Sequence, residues 1–362
     1  MKAAVCYEFG KPLVIEDLTL DPPQAGEVKV KVAACAICHS DVHLVRGEWQ
    51  GWSSNPPVVA GHEGAGMVLE VGPGVAHVKP GDTVVVSLLR SCGRCFYCAI
   101  GEPFMCEGKF ALAKEKRIHK RTGEPINQGI STGGFAEQAV VDQSQVVPLP
   151  ADMALDRACL LACGVITGFG AAVNTVQIKP GQSVVIIGVG GVGLNSVQGA
   201  RLSGAYPIMA VDVLDNKLEA ARTFGATHTL NAKQADVVAE VRGLTGGRGA
   251  DYSFVTVGNP AAITQSLDFV RRNGTVVAVG MPSTGATASI VMGDLVYNGQ
   301  RVIGSCVGST RLSVDVPRLV ALYQSGHLKL DELITHRYPL ERINDAIESM
   351  ERGEALRNVI IF

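Results

Sequence analysis

The chain has 362 residues, 47% hydrophobic and 18% charged, with a formal net charge of -2. That length exceeds one ordinary core and predicts two domains, and the hydrophobic share excludes a disordered chain. The near-neutral balance supplies no global basic field for nucleic acid or an anionic membrane, and 10 cysteines in so long a chain are not a disulfide scaffold.

The first residues, Met1-Lys2-Ala3-Ala4-Val5-Cys6, hold no apolar signal core before Glu8 and Lys11. A cytoplasmic protein is therefore expected, and in a reducing compartment clustered cysteines point to metal. Residues 1–90 read as β-rich. Glu27-Val28-Lys29-Val30-Lys31-Val32 alternates charged and apolar side chains, the period of a half-buried strand. Pro22-Pro23, Gly72-Pro73-Gly74 and Pro80-Gly81-Asp82 punctuate short strands, which suggests a small barrel-like domain.

Within it, Cys38-His39-Ser40-Asp41-Val42-His43 brings a thiol, two imidazoles, a hydroxyl and a carboxylate together. These suffice for a metal ligand beside a proton path if distant residues complete the site. His62 sits in Gly61-His62-Glu63-Gly64-Ala65-Gly66. A core histidine at a strand end is the plain alternative; the flanking glycines and Glu63 tilt it towards a site, since they let a ligand approach closely.

Cys92, Cys95, Cys98 and Cys106 follow. Four thiols this close can surround one zinc ion tetrahedrally with no open position, a structural role. The run Lys114-Glu115-Lys116-Arg117-Ile118-His119-Lys120-Arg121 is too short and too poor in aromatics for a nucleic-acid module and is expected to be a solvated loop. Asp152 to Ala172 reads as a helix carrying Cys159 and Cys163 on one face. Cys163 is either a core thiol or the missing ligand for the site begun at Cys38. The uncharged run 158–178 is long enough to span a bilayer, but Gly164, Gly168, Gly170, Asn174 and Gln177 favour a buried helix.

The second domain begins with the strand Gln182-Ser183-Val184-Val185-Ile186-Ile187. It enters Gly188-Val189-Gly190-Gly191-Val192-Gly193 and then a helix from Leu194 to Leu202. Strand, G-x-G-x-x-G and helix in that order form a dinucleotide-binding turn, with free N–H groups for a pyrophosphate at the helix start. The next strand, Pro207 to Val211, ends in Asp212, where a ribose-binding acid belongs. An acid there repels a 2′-phosphate and favours NAD over NADP, and Lys217 reaches towards the same ribose. Further strands are expected at Tyr252 to Val257, Gly274 to Gly280 and around Val302. Val257, Gly258 and Met281 then lie at strand ends where a nicotinamide would rest. Gly246-Gly247-Arg248-Gly249 precedes a strand and reads as a connection. From about Val307 the chain shows helices and a last strand, Val359-Ile360-Ile361, expected to return to the first domain.

Taken together, these residues resemble the zinc-dependent alcohol dehydrogenases of the medium-chain dehydrogenase/reductase family. The resemblance spans essentially the whole chain. It rests on Gly61 to Gly66, Val71-Gly72-Pro73-Gly74-Val75, Pro80-Gly81-Asp82, the four-cysteine lobe, Ala162-Cys163-Gly164-Val165-Ile166-Thr167-Gly168, and the glycine-rich turn with Asp212.

It implies an α/β protein: a β-rich GroES-like catalytic domain at 1–164 and 307–362 with a zinc lobe at about 92–106, and a Rossmann domain, a doubly wound parallel sheet, at 165–306. It implies two zinc ions per chain. Cys38, His62 and Cys163 would hold the catalytic one, the Cys₂His set for which alcohol dehydrogenases are known. Cys92, Cys95, Cys98 and Cys106 would hold the structural one. Glu63 corresponds to an acid that approaches the metal during ligand exchange, Asp41 to the carboxylate orienting the ligand histidine, and Ser40 and His43 to a proton relay. His39 stands where many relatives carry Arg beside the pyrophosphate, and Arg357 resembles a second phosphate contact.

The implied activity interconverts an alcohol and an aldehyde or ketone by hydride transfer to or from NAD. Ser40, smaller than Thr, leaves room for bulkier alcohols, and Glu48-Trp49-Gln50-Gly51-Trp52 is read as a pocket wall suited to an apolar or aromatic substrate. Cys35-Ala36-Ile37-Cys38 is not read as a redox motif, and Cys6, Cys159 and Cys306 are read as packing. The alternatives are a formaldehyde–thiol adduct dehydrogenase of the same family and a non-catalytic zinc- and NAD-binding regulatory protein. The expected partner is a second copy of the chain, as dimer or tetramer, with neither nucleic acid nor membrane.

Overall fold

Alternation in the strand Glu27–Ala36 buries Val28, Val30 and Val32 and turns Lys31 outward. This strand is the spine of the first unit. It pairs antiparallel with Glu63–Val71, Gln138–Asp142 and the last strand, Arg357–Ile361. A computed structural model describes residues 1–51 and 54–362, so the expectation for Trp52 lies outside the described residues. The chain divides into two units, Met1–Cys163 with Arg311–Phe362, and Gly164–Thr310.

In the first unit the spine belongs to a 7-stranded sheet. Beside it, Lys2–Cys6, Val14–Leu20, Ile118–Lys120, Pro125–Gln128 and Val58–Val59 close a small barrel. Phe135, Ile37, Leu44, Ile118 and Ile126 are fully buried in a core shared by these strands. Part of the basic run expected to be a loop is therefore a barrel strand, anchored by Ile118. Three of its cations are paired: Arg117 with Glu27 and Glu115, Lys120 with Glu124, Arg121 with Asp17.

The second unit is a 6-stranded parallel sheet. Its spatial order is His228–Asn231, Ile208–Asp212, Val184–Ile187, Ala250–Val255, Val270–Ala278, Arg301–Gly304. The order reverses beside the first strand, the doubly wound pattern that opens a crevice at the strands' carboxyl ends. Gly246, Gly247 and Gly249, all at positive φ, form the connection into Ala250–Val255.

Two expectations are corrected. Asp152 to Ala172 is not one helix. Leu155–Ala158 and a 3₁₀ turn, Cys159–Ala162, end at Cys163 with φ -149 and ψ -67, and a new helix starts at Gly164. A continuous helix would keep both thiols on one face. The break leaves Cys159 in the core, donating to Asp156 O, and turns Cys163 elsewhere. No single helix among the described residues is long and apolar enough to cross a membrane. The unit boundary on the C-terminal side also falls later than 306/307, because Cys306 to Thr310 packs on the Gly164–Gly170 helix. A Cβ on Gly170 would lie 2.3 Å from Gly308 O, and Thr310 Oγ1 donates to Ile166 O at 3.3 Å.

Candidate metal centres and cofactor turn

Cys38 lies two residues past the end of the spine strand and caps the helix His39–Arg46. Glu63 opens the neighbouring strand with His62 immediately before it, and Cys163 occupies the helix break. The ligand atoms of Cys38, His62, Glu63 and Cys163 all lie within 4.8 Å of one another, and all four residues are buried.

Asp41, fully buried, organises this cluster. Its Oδ1 accepts from His62 Nδ1 at 3.0 Å and from Gly61 N at 2.9 Å; its Oδ2 accepts from Cys38 N at 3.0 Å. Gly61 has φ +88, and a Cβ there would lie 2.5 Å from Phe135 N, so the approach to His62 requires glycine.

With Nδ1 committed to Asp41, His62 Nε2 is buried with no hydrogen-bond partner among the described residues, as is Glu63 Oε1. A buried orphan nitrogen is costly unless something accepts its lone pair. Burial opposes charging of His62, but Asp41 and Cys38 outweigh it and raise its pKa well above the ordinary value. The hydrogen bond from Cys163, with His62 close by, holds the Cys38 thiol well below the usual range. Burial pushes Glu63 up to about 7 against the pull of Arg357. Groups that compete for protons around an orphan imidazole nitrogen fit a zinc ion of the Cys₂His class.

The second cluster is Cys92, Cys95, Cys98 and Cys106, also within 4.8 Å. Backbone amides surround its sulfurs: Cys92 N and Gly108 N each donate to Cys106 Sγ at 3.2 Å, and Cys95 N to Cys92 Sγ at 3.3 Å. The Cys98 amide holds Cys95 down to about 6, while burial pushes Cys106 up to about 12. The donor set fits a closed thiolate zinc site.

In the second unit the glycine-rich turn is set sterically. A Cβ on Gly188 would meet Val257 Cγ1 at 2.3 Å, and one on Gly193 would meet Gly188 O at 1.9 Å; around Gly190 nothing lies within 4 Å. The turn is thus packed on its protein side and open at Gly190, where the helix Gly191–Leu202 begins. Asp212 Oδ2 accepts from Val189 N at 2.8 Å and Oδ1 from Val213 N at 2.7 Å. Lys217 is buried one turn into the next helix, its pKa lowered by burial against the nearby Asp212 charge. Val257 and Met281 stand exposed at their strand ends.

Known dehydrogenases match the chain along its length. Residues 24–151 match the alcohol dehydrogenase GroES-like domain and residues 191–325 the zinc-binding dehydrogenase domain. An NDMA-dependent alcohol dehydrogenase of Amycolatopsis methanolica is 38% identical over 99% of this chain and 98% of its own length. An alcohol dehydrogenase zinc-binding domain protein from Burkholderia ambifaria superposes with a TM-score of 0.94, at 34% identity, over 100% of this chain and 98% of that one. Benzyl alcohol dehydrogenase from Acinetobacter calcoaceticus does so with 0.92, at 32% identity, over 100% and 99%. The chain belongs to the zinc-dependent alcohol dehydrogenases of the medium-chain family.

For this alcohol dehydrogenase the structure adds three placements that the sequence missed. Arg357, expected as a phosphate contact, is 6% exposed and its guanidinium pairs with Glu63 Oε2 beside the metal cluster. Trp49, expected in a pocket wall, is buried and stacks on His43 with centroids 5.2 Å apart. Glu48 pairs with His43 Nδ1. The acid and the aromatic, five and six residues after His43, were the available signal: one helical turn and a Gly47 cap bring them back to the ring. His39 is exposed in the first turn of the same helix, and Ser40 is partly buried beside it.

Proposed function

We propose that the chain interconverts alcohols and aldehydes or ketones with NAD(H), holding one zinc at Cys38, His62 and Cys163 and a second in the four-cysteine lobe. The observation that carries this is the buried His62 Nε2, partnerless within 4.8 Å of two thiols. Zinc bound there supplies Lewis-acid polarisation of the substrate oxygen. Asp41 fixes the imidazole tautomer and tethers the Cys38 backbone, so two ligands share one support.

Ser40 and His43 lie three apart on one helix and therefore on one face. Ser40 Oγ takes the hydroxyl proton and His43, partly exposed, returns it to solvent; Glu48 and Trp49 hold the ring for that transfer. Asp212 at the end of the second strand favours NAD over NADP. Medium-sized apolar or aromatic alcohols are the proposed substrates, because Ser40 leaves more space than Thr.

The protein is further proposed to self-associate. Arg301–Gly304 is a sheet edge, and the helix Met292–Asn298 that precedes it in the chain has no buried residue, with Val291, Met292, Val296 and Tyr297 exposed by 62–76%. An unpaired edge next to an apolar face is covered most simply by the same face of a second copy.

Elemental analysis of purified protein, followed by NAD reduction across an alcohol panel, tests the proposal. About two zinc ions per chain with alcohol-dependent NADH formation are expected. One zinc that added metal does not raise, together with no turnover, would sink it.

A further inference from the structure

Gln145 lies between the two cysteine clusters. Gln145 and Ser87 are both fully buried. Ser87 Oγ donates to Ala162 O at 2.6 Å, the carbonyl immediately before Cys163. Ser87 O accepts from Gln145 Nε2 at 2.7 Å, and Gln145 O accepts from Ser87 N at 2.9 Å. A chain of buried bonds thus runs from Gln145 to the ligand at the helix break.

On its other side, Gln145 Oε1 accepts from Arg90 Nε at 2.8 Å. Arg90 stands just before Cys92, and its guanidinium sits 5.7 Å over the ring of Phe110, just past Cys106. Between them, Ser91 N donates to Ser144 Oγ at 3.0 Å. Both ends of the four-cysteine lobe therefore hang on the Gln145 neighbourhood.

A third arm leads to His62. Ser131 O accepts from Arg90 Nη2 at 2.7 Å and from Gln145 Nε2 at 3.2 Å. Ile130 and Ser131 have φ of 46 and 61, a left-handed pair that non-glycine residues adopt only under support. The same segment continues to Gly134, whose N donates to Gly61 O at 2.7 Å, and to Phe135, whose N donates to Ala60 O at 2.9 Å. Those acceptors immediately precede His62.

On the metal-centre reading above, we infer that Gln145, with Ser87 and Arg90, couples the four-cysteine lobe to the Cys38–His62–Cys163 centre. Closure of the lobe on its ion fixes Arg90, Arg90 and Gln145 fix the 129–135 segment and Ser87, and these fix His62 and Cys163. The network is anchored on two fully buried members, Gln145 and Ser87, and it transmits displacement because neither can slacken a bond without leaving a buried polar group unpaired. Gln145 is a positioning residue: it touches no ligand atom. A role confined to packing would lower stability and leave the metal centre as it was.

The test uses the full chain with cobalt(II) replacing zinc at the Cys38 centre. Its readouts are the thiolate-to-cobalt absorption band and the rate of cobalt loss to a chelator. Gln145→Met and Ser87→Ala are expected to shift the band and to speed cobalt loss by about tenfold, the scale of removing an outer support of a metal ligand. Cys106→Ser, which opens the lobe, is expected to shift the band in the wild-type background and to shift it much less once Gln145→Met is present. If Cys106→Ser does not fold, Arg90→Met breaks the lobe-side arm with the lobe ligands intact and takes its place in the comparison. An unchanged band and loss rate in Gln145→Met, or an equal shift in both backgrounds, would overturn the coupling alone. No thiolate–cobalt band in the wild-type protein would overturn the metal centre itself.

Discussion

Asp41 holds His62 and Cys38 with one carboxylate: Oδ1 takes the His62 Nδ1 proton at 3.0 Å and Oδ2 takes the Cys38 amide at 3.0 Å. The orientation of Nε2 and the position of the Cys38 thiol are thereby set by the same buried group. Asp41→Asn keeps the shape but weakens both bonds, and it can turn a donor towards Nδ1 and select the wrong tautomer. Metal affinity at this centre is expected to fall by about 10–100-fold, read as competition against a chelator. The four-cysteine lobe, which Asp41 does not touch, retains its ion in the same titration. Equal loss from both centres would show that Asp41 acts on the fold and not on the ligands.

The second unit contains an acid-sensitive tether. Asp251 Oδ2 accepts from Ser183 N and Oγ at 2.8 Å each, and Oδ1 accepts from Arg271 Nε at 2.8 Å. Burial pushes its carboxyl up, but these donors outweigh it and hold the folded carboxyl below its ordinary value. A depressed folded pKa means stabilisation that is complete above the unfolded value, near about pH 4, and is lost as pH falls through the folded one. Asp251→Ala is expected to cost about 2 kcal/mol at pH 7, the scale of hydrogen bonds to a charged group. The difference from wild type should shrink in denaturant titrations below that pH, and a gap that stayed constant down to pH 3 would rule the tether out.

Much of this was legible in the chain, for physical reasons that differ by element. The strand Glu27–Ala36 and the glycine-rich turn carry local signals, alternation in one case and steric necessity in the other. The four-cysteine lobe is local as well, because its ligands are close in sequence. Cys163 was ambiguous, since a thiol on an apolar helix reads the same whether it packs or ligates; only the break at φ -149 turns it out of the helix. The Arg357–Glu63 pair was not legible, because the two residues are distant in sequence and only the pairing of Arg357–Ile361 with the spine strand brings them together. Gln145 left no sequence signal at all, being one amide among polar residues in Asp142-Gln143-Ser144-Gln145.

Self-association through the exposed edge can be separated from folding. Val296 and Tyr297 are 74% and 76% exposed and belong to a helix with no buried residue. Charges placed there cost the isolated chain little, within about 0.5 kcal/mol for an exposed surface site. The double variant Val296→Glu, Tyr297→Glu is expected to sediment as a smaller species than wild type at the same concentration, with unchanged circular dichroism. An unaltered sedimentation coefficient would place the contact elsewhere.

Gly188 and Gly190 make a matched pair for the cofactor turn. Gly188 has φ +83 and its Cβ would meet Val257 at 2.3 Å, whereas Gly190 has φ -78 and open space on its Cβ side. Gly188→Ala is expected to destabilise the second unit by at least about 1–2 kcal/mol from the left-handed backbone alone. Gly190→Ala fits without strain and should leave thermal stability nearly unchanged. If the open space is where a pyrophosphate lies against the backbone, the added methyl stands in its way. NAD affinity should then drop by about tenfold, or roughly 1.4 kcal/mol, measured by calorimetry on the folded variant. A Gly190→Ala protein that bound NAD as tightly as wild type would move the pyrophosphate away from this turn.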